Sequence, residues 1–299
     1  MRTSTRLAAY GAALVVLASG GYAVGSAVGP LSSEAGGTSE AMSSAGADQP
    51  GGLAASSGGY TLTPADPAFT PGAAKEFAFR VTGPDGAAVT GFDVEHDKRM
   101  HLIVVRRDTA SFQHVHPEMD PDGTWRVPLT LPAAGSYRAF ADFARTGGPA
   151  ITLGVDLVAA GSFEPVTYQP SRTAHVDGYT VTLAGDLVPG RASPVSLTVS
   201  RDGREVTDLQ PYLSAYGHLV ALRGGDLAYL HVHPDGSPGD GRTAPGPTVT
   251  FVAEVPSAGT YRLFLDFQHG GVVRTAAFTV PTGPATAAAP PAAEHAHGH

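Results

Sequence analysis

The sequence predicts an all-β fold that consists of two tandem β-sandwich repeats. Three observations lead to this prediction: the composition, the alternation pattern and an internal repeat. The 299 residues include 38 glycines and 25 prolines, and only 15% are charged. Short segments with alternating apolar residues are separated by Gly- and Pro-rich turns, which is typical of strands. The second half of the chain repeats segments of the first half, which indicates two copies of one domain of about a hundred residues.

The repeat is clearest in two pairs of segments. "HLIVVRRDTASFQHVHP" (101–117) matches "HLVALRGGDLAYLHVHP" (218–234), and "LPAAGSYRAFADF" (131–143) matches "VPSAGTYRLFLDF" (255–267). The extra residues of the second copy fall in "PGDGRTAPGP" (238–247), a type of loop in which insertions are well tolerated.

The strand pattern favours an immunoglobulin-like sandwich. Segments such as "EFAFRVT" (76–82) and "YRLFLDF" (261–267) are rich in aromatic and apolar residues at period two, and the body of the chain has no amphipathic helical pattern. We expect about seven strands in each repeat. Tyr137 and Tyr261 stand where such folds place a tyrosine whose hydroxyl holds a corner.

Side chains alternate between the two faces of a strand, so this alignment assigns the faces. The residues expected to face the core of the first repeat are Tyr137, Ala139, Ala141 and Phe143. The residues expected to face outward are Arg138, Phe140 and Asp142, with Arg262, Phe264 and Asp266 as their equivalents in the second repeat.

The composition divides the chain into five parts. We expect a signal peptide or membrane anchor at 1–29, a disordered linker at 30–57, and sandwich repeats at 58–160 and 165–281. Residues 282–299 form a His-rich tail that we expect to be disordered. The linker and the tail contain too few large apolar residues to form a core.

The N-terminus predicts export from the cytoplasm. Arg2 and Arg6 precede an uncharged, apolar stretch at 7–29, as in export signals. The stretch is also long enough to span a bilayer, so the segment is either a signal peptide that is cleaved or an anchor that stays in the membrane. In both cases the repeats lie outside the cytoplasm, secreted or at the outer face of the membrane.

Two properties of the composition exclude whole classes of function. The net charge is −8 without a basic stripe, so we expect no nucleic acid as a partner. The chain has no cysteine, which excludes disulfides, thiolate nucleophiles and sites with cysteine ligands.

Histidines recur with the same spacing in the second repeat. His218 precedes His231 by thirteen residues, and His233 follows two residues later. We expect a hairpin with its turn at Gly224-Gly225, which would set His218 opposite His231. His233 would share the face of His231, so three imidazoles would meet on one sheet face.

The first repeat has the same arrangement in His101, His114 and His116. Its turn, Arg107-Asp108, lacks glycine, so we expect a longer loop there. Neutral imidazoles suit Cu²⁺ or Zn²⁺, and three of them form a natural metal site. The sequence therefore predicts one three-histidine site in each repeat.

An aspartate is expected near each site. Asp142 and Asp266 lie on the strand that neighbours the hairpin in this fold, as a fourth ligand or as an acceptor for a ring N–H. Alternatively, each pairs with Arg138 or Arg262 or accepts a backbone hydrogen bond.

A second interpretation of the histidines needs no metal. Duplication copies a structural cluster as faithfully as a metal site, so the histidines are alternatively structural or pH-responsive. The domains would then be adhesive or partner-binding modules of the cell envelope.

Other histidines carry weaker signals. His96 is placed to join the first site, and His269 is placed to approach the second from a strand end. His295, His297 and His299 in the tail are a possible metal-scavenging tract or the random end of a low-complexity segment.

We expect no enzymatic activity. The sequence has no recurring general base near the histidines, no nucleophile elbow and no phosphate-binding loop. Glu118 follows the first His-Val-His-Pro, but Asp235 takes its place in the second.

The twin histidine segments resemble those of exported actinobacterial proteins labelled as heavy-metal-associated. "KEFAFRVTGPDGAAV" (75–89) and "LPAAGSYRAF" (131–140) are also similar to YtkA-like and CopC-like immunoglobulin-type domains of bacterial envelopes. The resemblance covers about 58–281 and implies extracytoplasmic metal handling, most often of copper. We therefore expect a metal ion as ligand and a membrane metal transporter or another envelope protein as partner.

Overall fold

The described part of the chain consists of strands and loops. A computed structural model describes residues 50–230 and 232–283, without the side chain at position 233. All regular elements of this part are β-strands, which confirms the all-β fold class. None of the residues described forms a helix able to cross a membrane. The expected signal or anchor at 1–29 and the tail from 284 lie outside the described residues.

The first repeat contains ten strands in two sheets. The strands are β1 (Ser56–Ser57), β2 (Tyr60–Pro64), β3 (Ala68–Phe69), β4 (Ala74–Thr82), β5 (His101–Arg106), β6 (Gln113–Val115), β7 (Glu118–Met119), β8 (Thr124–Thr130), β9 (Gly135–Ala144) and β10 (Ala150–Ala159). One sheet has the order β1-β2-β4-β8-β7 and the other β3-β10-β9-β5-β6.

The second repeat is built in the same way. Its strands are β11 (Thr173–Val176), β12 (Tyr179–Ala184), β13 (Ala192–Arg201), β14 (Arg204–Glu205), β15 (His218–Arg223), β16 (Tyr229–Leu230), β17 (His233–Pro234), β18 (Thr248–Glu254), β19 (Thr260–His269) and β20 (Val272–Pro281). The sheets have the orders β11-β12-β13-β18-β17, with β14 beside β13, and β16-β15-β19-β20.

Each repeat is an immunoglobulin-like sandwich with its own apolar core. Trp125, Phe79 and Phe143 belong to the core of the first repeat, and Phe251 and Phe278 to that of the second. The corner tyrosines behave as the sequence predicts. The Tyr137 hydroxyl donates to the carbonyl of Ala133 at 2.8 Å, and the Tyr261 hydroxyl donates to that of Ser257 at 2.9 Å.

The assignment of core-facing residues on β9 is confirmed. Tyr137, Ala139, Ala141 and Phe143 all lie in the core of the first repeat. The opposite face of β9, however, is not open to solvent. Phe140 is fully buried, and Arg138 and Asp142 are only 7% and 6% exposed. The same holds on β19 for Arg262, Phe264 and Asp266, so the prediction that this face points outward to solvent is wrong.

The face expected to be outward is covered by the other repeat. A third apolar cluster joins the sheet of β5 and β9 to the sheet of β15 and β19. Its buried members are Ile103, Val105, Phe140, Val220, Leu222, Leu227, Tyr229 and Phe264. Two sandwiches therefore pack through their histidine-bearing sheets, which we call the inner sheets.

The contact between the inner sheets is reciprocal. Phe112 of the first repeat stacks on Phe264 of the second with ring centroids 4.0 Å apart. Their repeat equivalents, Tyr229 and Phe140, also meet, with centroids 5.5 Å apart. Each repeat thus contributes the same surface, as in a two-fold symmetric dimer.

The segment before the first repeat takes part in this contact. Residues 50–57 were expected to belong to a disordered linker, but Ser56–Ser57 pairs with β2. Gly51 pairs with Tyr229 of the second repeat, and the carbonyl of Gly52 accepts two hydrogen bonds from Arg138. The backbone donors and acceptors of Gly51 and Gly52 find partners on both repeats, which draws this stretch into the fold.

The hairpin register differs from our expectation by two residues. Ile103 pairs with His114, which sets His116 opposite His101, where we expected His114. In the second repeat Ala221 pairs with Leu230. The reason is the length of the turns. The loop from Gly224 to Ala228 holds five residues instead of two, and that of the first repeat is longer still, as the absence of glycine predicts.

Replacing Phe140 with alanine should destabilise the protein strongly. Phe140 has no exposed surface and packs in the cluster between the inner sheets. We expect the free energy of unfolding to fall by about 3–5 kcal/mol, measured by urea denaturation. Val158→Ala is the control, because Val158 is 49% exposed, and should change stability by less than about 0.5 kcal/mol. Equal stability of both variants would contradict packing of the inner sheets in solution.

Candidate metal centre

A tight turn positions His101. Glu95 and Lys98 pair across a two-residue turn in which His96 and Asp97 both have positive φ, as in a type I′ hairpin. The turn presents the carbonyl of Glu95 to Nε2 of His101 at 3.1 Å. A carbonyl oxygen can only accept, so Nε2 carries the hydrogen and Nδ1 of His101 keeps its lone pair.

His114 is oriented from the other repeat. Its Nδ1 lies 2.8 Å from Oδ2 of Asp266, and both side chains are almost fully buried. The other carboxylate oxygen of Asp266 accepts a hydrogen bond of 2.5 Å from the Thr275 hydroxyl. An ionised carboxylate can only accept a hydrogen bond, so Nδ1 of His114 carries the hydrogen of this contact.

The two remaining nitrogens face each other. Nδ1 of His101 lies 3.1 Å from Nε2 of His114. His101 has its hydrogen on Nε2, on the far side of the ring, and a neutral His114 has its hydrogen on Nδ1. Two lone pairs then meet at contact distance, an arrangement that favours a cation between them.

His116 adds a third nitrogen. Its Nε2 is buried, and among the described residues it has no hydrogen-bond partner. Ligand atoms of His101, His114 and His116 all lie within 4.8 Å of one another. The three histidines predicted for the first repeat therefore do converge.

Burial keeps these rings neutral. Desolvation, with a smaller effect of the neighbouring His114, lowers the pKa of His101 to about 4, although the Glu95 carbonyl acts in the opposite direction. Desolvation, together with the neighbouring His114, likewise lowers the pKa of His116 to about 3. Neutral imidazole is the form that binds metals, so His101 and His116 are in their ligand form at neutral pH.

His218 occupies the equivalent place in the second repeat. Its Nε2 donates to the carbonyl of Leu213 at 2.8 Å, again in a two-residue turn, and burial lowers its pKa to about 4. Its ring lies near those of His114 and His96, with centroids 6.5 Å and 5.0 Å away. His218 thus joins the histidines of the first repeat instead of standing apart.

Both repeats contribute to one small cavity. Its polar lining consists of Glu95, His96, His101, His114, Asp142, His218 and Tyr229. The space available to the centres of water-sized molecules is about 30 Å³, which suits an ion or very few waters. We expected a separate site in each repeat, whereas the inner sheets bring these side chains together. His231 and the side chain of His233 lie outside the described residues, so the second three-histidine site stays a prediction.

Asp142 lies beside the cluster without joining the ligand group. It neighbours His101 in the register of β5 and β9. Its carboxylate accepts hydrogen bonds from the Thr152 hydroxyl at 2.8 Å and from the Tyr229 hydroxyl at 3.3 Å. The alternative pairing with Arg138 is not seen, since Arg138 contacts Asp156 and Gly52.

Of the two histidines with weaker signals in the sequence, one lies at the cluster and the other does not. His96 packs edge-on against His101 and His218, in line with the expectation that it joins the first site. His269 does not approach the cluster through either ring nitrogen, because one contacts the Tyr179 hydroxyl and the other Asp208. The three tail histidines lie outside the described residues.

Several residues of the site carried no signal in the sequence. These residues are Tyr229, Thr152 and Thr275, which donate to the two aspartates. Asp266 itself was expected near the histidines of its own repeat, but its carboxylate reaches His114 of the first repeat. Tyr212 lies beside His218, and burial together with the charge of Asp266 raises its pKa to about 12. The contacts of Tyr229 and Asp266 cross between the repeats and can be found only from their docked arrangement, whereas those of Thr152, Thr275 and Tyr212 lie within one repeat.

Comparison with known proteins places the chain in a family. A model of the family described as Domain of unknown function (DUF8832) matches residues 55–160 and 174–283, so the chain belongs to this family. The two matched regions agree with the two repeats. No curated protein matches the chain. The resemblance to YtkA-like and CopC-like domains stays a prediction.

Solved structures match only remotely. The FdeC adhesin of Escherichia coli is 15% identical, with 75% of this chain and 65% of that chain covered and a TM-score of 0.26. A putative membrane anchored protein of Corynebacterium diphtheriae is 13% identical over 78% and 60% of the chains, with a TM-score of 0.22. The Ig1-2 module of Drosophila Dlar is 8% identical over 75% and 99%, with a TM-score of 0.20. This chain spans less than two thirds of both bacterial structures, and these similarities carry no functional argument.

The metal-free protein should lose stability as the pH falls from about 6.5 to about 4. Histidines of the unfolded chain titrate near pH 6.5, whereas His101 and His218 have a pKa of about 4 in the fold. Below pH 6.5 the unfolded state therefore binds more protons, and the free energy of unfolding decreases. Urea midpoints at pH 7.5, 6 and 5, with a chelator present, measure the effect.

A matched pair of variants isolates the buried histidine in this measurement. His218→Gln should reduce the loss of stability between pH 7.5 and 5, because it removes one buried titrating ring. His175→Gln should leave the loss unchanged, because His175 is exposed. An identical pH dependence in both variants would contradict a neutral, buried His218.

Proposed function

We propose that this member of the DUF8832 family binds a divalent transition metal ion, Cu²⁺ or Zn²⁺, through His101, His114 and His116. The observation that carries the proposal is the facing pair of nitrogens, Nδ1 of His101 and Nε2 of His114, 3.1 Å apart. The other nitrogen of each ring donates to an acceptor, the carbonyl of Glu95 or the carboxylate of Asp266. Both rings are thereby oriented with a free lone pair toward a common point.

The spacing of the donors is close to what such an ion requires. Nitrogens bound at 2.0–2.1 Å to a tetrahedral ion lie about 3.3 Å from each other. The pair in His101 and His114 is already at this separation, and His116 lies within 4.8 Å of both. His116 would be the third ligand, and its buried Nε2 has no partner among the described residues.

The access route that we propose for the ion passes His116. His116 lies between the buried cluster and a surface cleft of about 420 Å³. Glu76, Glu118 and Asp120 line this cleft, and Arg126 pairs with two of them. Three carboxylates against one guanidinium give the cleft a net negative charge, which attracts cations toward His116.

The role that fits this site is binding and not catalysis. With an export signal at 1–29, as the sequence predicts, the repeats would lie outside the cytoplasm, where the protein would buffer, deliver or sense the metal. A membrane metal transporter or another envelope protein would be its partner. We propose no enzymatic activity, because the sequence has no recurring general base beside the histidines.

The rival interpretation replaces the metal with a proton. A doubly protonated His114 would donate to both Asp266 and His101, and the cluster would be a structural hydrogen-bond relay. The domains would then be adhesive or partner-binding modules. The inner sheets argue against using their faces for a partner, since Phe140 and Phe264 are buried between the repeats.

Calorimetric titration of the full-length chain with Cu²⁺ and Zn²⁺ at neutral pH tests the proposal. His295, His297 and His299 are replaced by serine so that the tail does not contribute. We expect one site at the described cluster, and a second one if the predicted site of repeat two also forms. His116→Ala should weaken the first site by at least about 100-fold, more than the loss of an outer contact.

His175→Ala is the control, because His175 is an exposed histidine on β11. This variant should bind the metal as the parent does. If His116→Ala and the parent give the same titration, or if the parent binds neither ion, the metal proposal is wrong. The proton relay would then be the better description of the cluster.

A further inference from the structure

We infer that Asp266, from the second repeat, is a positioning residue for the metal ligand His114 of the first, so that the site is complete only across the repeat interface. The inference rests on the proposed function and adds to it a residue that the first repeat cannot supply. It also links metal binding to the docking of the two repeats.

The contact is built into the interface. Asp266 stands on β19 opposite His218 in the strand register, yet its carboxylate reaches His114. Asp266 is 2% exposed, and the hydrogen bond from Thr275 fixes its second oxygen. The carboxylate therefore has a single orientation, with Oδ2 toward Nδ1 of His114.

This orientation decides which nitrogen of His114 is available. With Nδ1–H donated to Asp266, a neutral His114 has its lone pair on Nε2, toward His101. Without Asp266 the hydrogen can move to Nε2, which would then donate to Nδ1 of His101 at 3.1 Å. The two histidines would satisfy each other, and a metal ion would have to break that hydrogen bond to bind.

The charge of Asp266 acts in the same direction. A carboxylate on the outer nitrogen makes the inner nitrogen a better donor, as in carboxylate–histidine–zinc triads. Its negative charge also offsets the charge of an ion in a buried, low-dielectric site. Because His114 and Asp266 are in different repeats, these gains exist only in the docked state. By linkage, a bound ion strengthens docking by the same factor.

Two measurements on the full-length chain with the serine tail test the inference. The first is the tautomer of His114, read from long-range ¹H–¹⁵N NMR spectra of the metal-free protein above pH 7. The second is the affinity for Zn²⁺ by calorimetry. The variants are Asp266→Ala, which removes the acceptor, and Asp266→Asn, which retains one oxygen acceptor. Asp108→Asn is the control, because it alters another carboxylate that is mostly buried but contacts Arg106 instead of a histidine.

We expect the parent and Asp108→Asn to hold His114 as the Nδ1–H tautomer and to bind Zn²⁺ equally. Asp266→Ala should move the hydrogen to Nε2 and weaken binding by about 10–100-fold. Asp266→Asn should keep the Nδ1–H form and recover part of the affinity. A merely structural role of Asp266 would not move the tautomer or respond to the asparagine in this way.

Several outcomes would overturn the inference. One is an Nε2–H tautomer of His114 in the parent, which can be observed even if Asp266→Ala does not fold. Others are an unchanged tautomer or an unchanged Zn²⁺ affinity in Asp266→Ala. If the parent binds no metal but its tautomer responds to Asp266→Ala, the proposed function fails, while the orientation of His114 by Asp266 stands.

Discussion

Face-to-face packing of the two inner sheets is the contact on which the rest of this structure depends. Phe112 on Phe264 and Tyr229 on Phe140 are the same contact made twice, once from each repeat. Burying this face removes a large apolar surface from water, which is the main favourable term in such an interface. The same packing also carries histidines and aspartates out of water, and these groups must then find partners.

The chemistry of the histidine cluster follows from that requirement. Buried His101 takes its acceptor from a turn of its own repeat, whereas buried His114 takes it from the opposite repeat. Each acceptor holds a hydrogen on the nitrogen that it contacts, so that a neutral His114 would face His101 with two lone pairs 3.1 Å apart. Buried nitrogen atoms that have neither a hydrogen-bond partner nor a bound cation lower the stability of the fold. Metal binding outside the cytoplasm would give this cost a function.

Much of this arrangement was predictable from local sequence. The internal repeat, the strand pattern and the corner tyrosines predicted two immunoglobulin-like sandwiches, and the core face of β9 is confirmed residue by residue from Tyr137 to Phe143. The convergence of His101, His114 and His116 was also expected, although the register differs by two residues. Register depends on how a loop such as Gly224 to Ala228 folds, and side chains two residues apart still share a face. The error in register therefore did not disturb the prediction of the cluster.

By itself the sequence determined which side chains share a face, because strand alternation is a local property of the backbone. Only the tertiary structure decided what covers that face. Phe140 and Asp142 alternate along β9 with the core-facing residues, as solvent-exposed residues would. The local sequence does not distinguish a face exposed to solvent from one covered by a second domain. The pairs His114–Asp266 and Tyr229–Asp142 lie far apart in sequence and arise from docking alone. Docking turned the first-repeat histidines and His218 into one cluster at the boundary between the repeats.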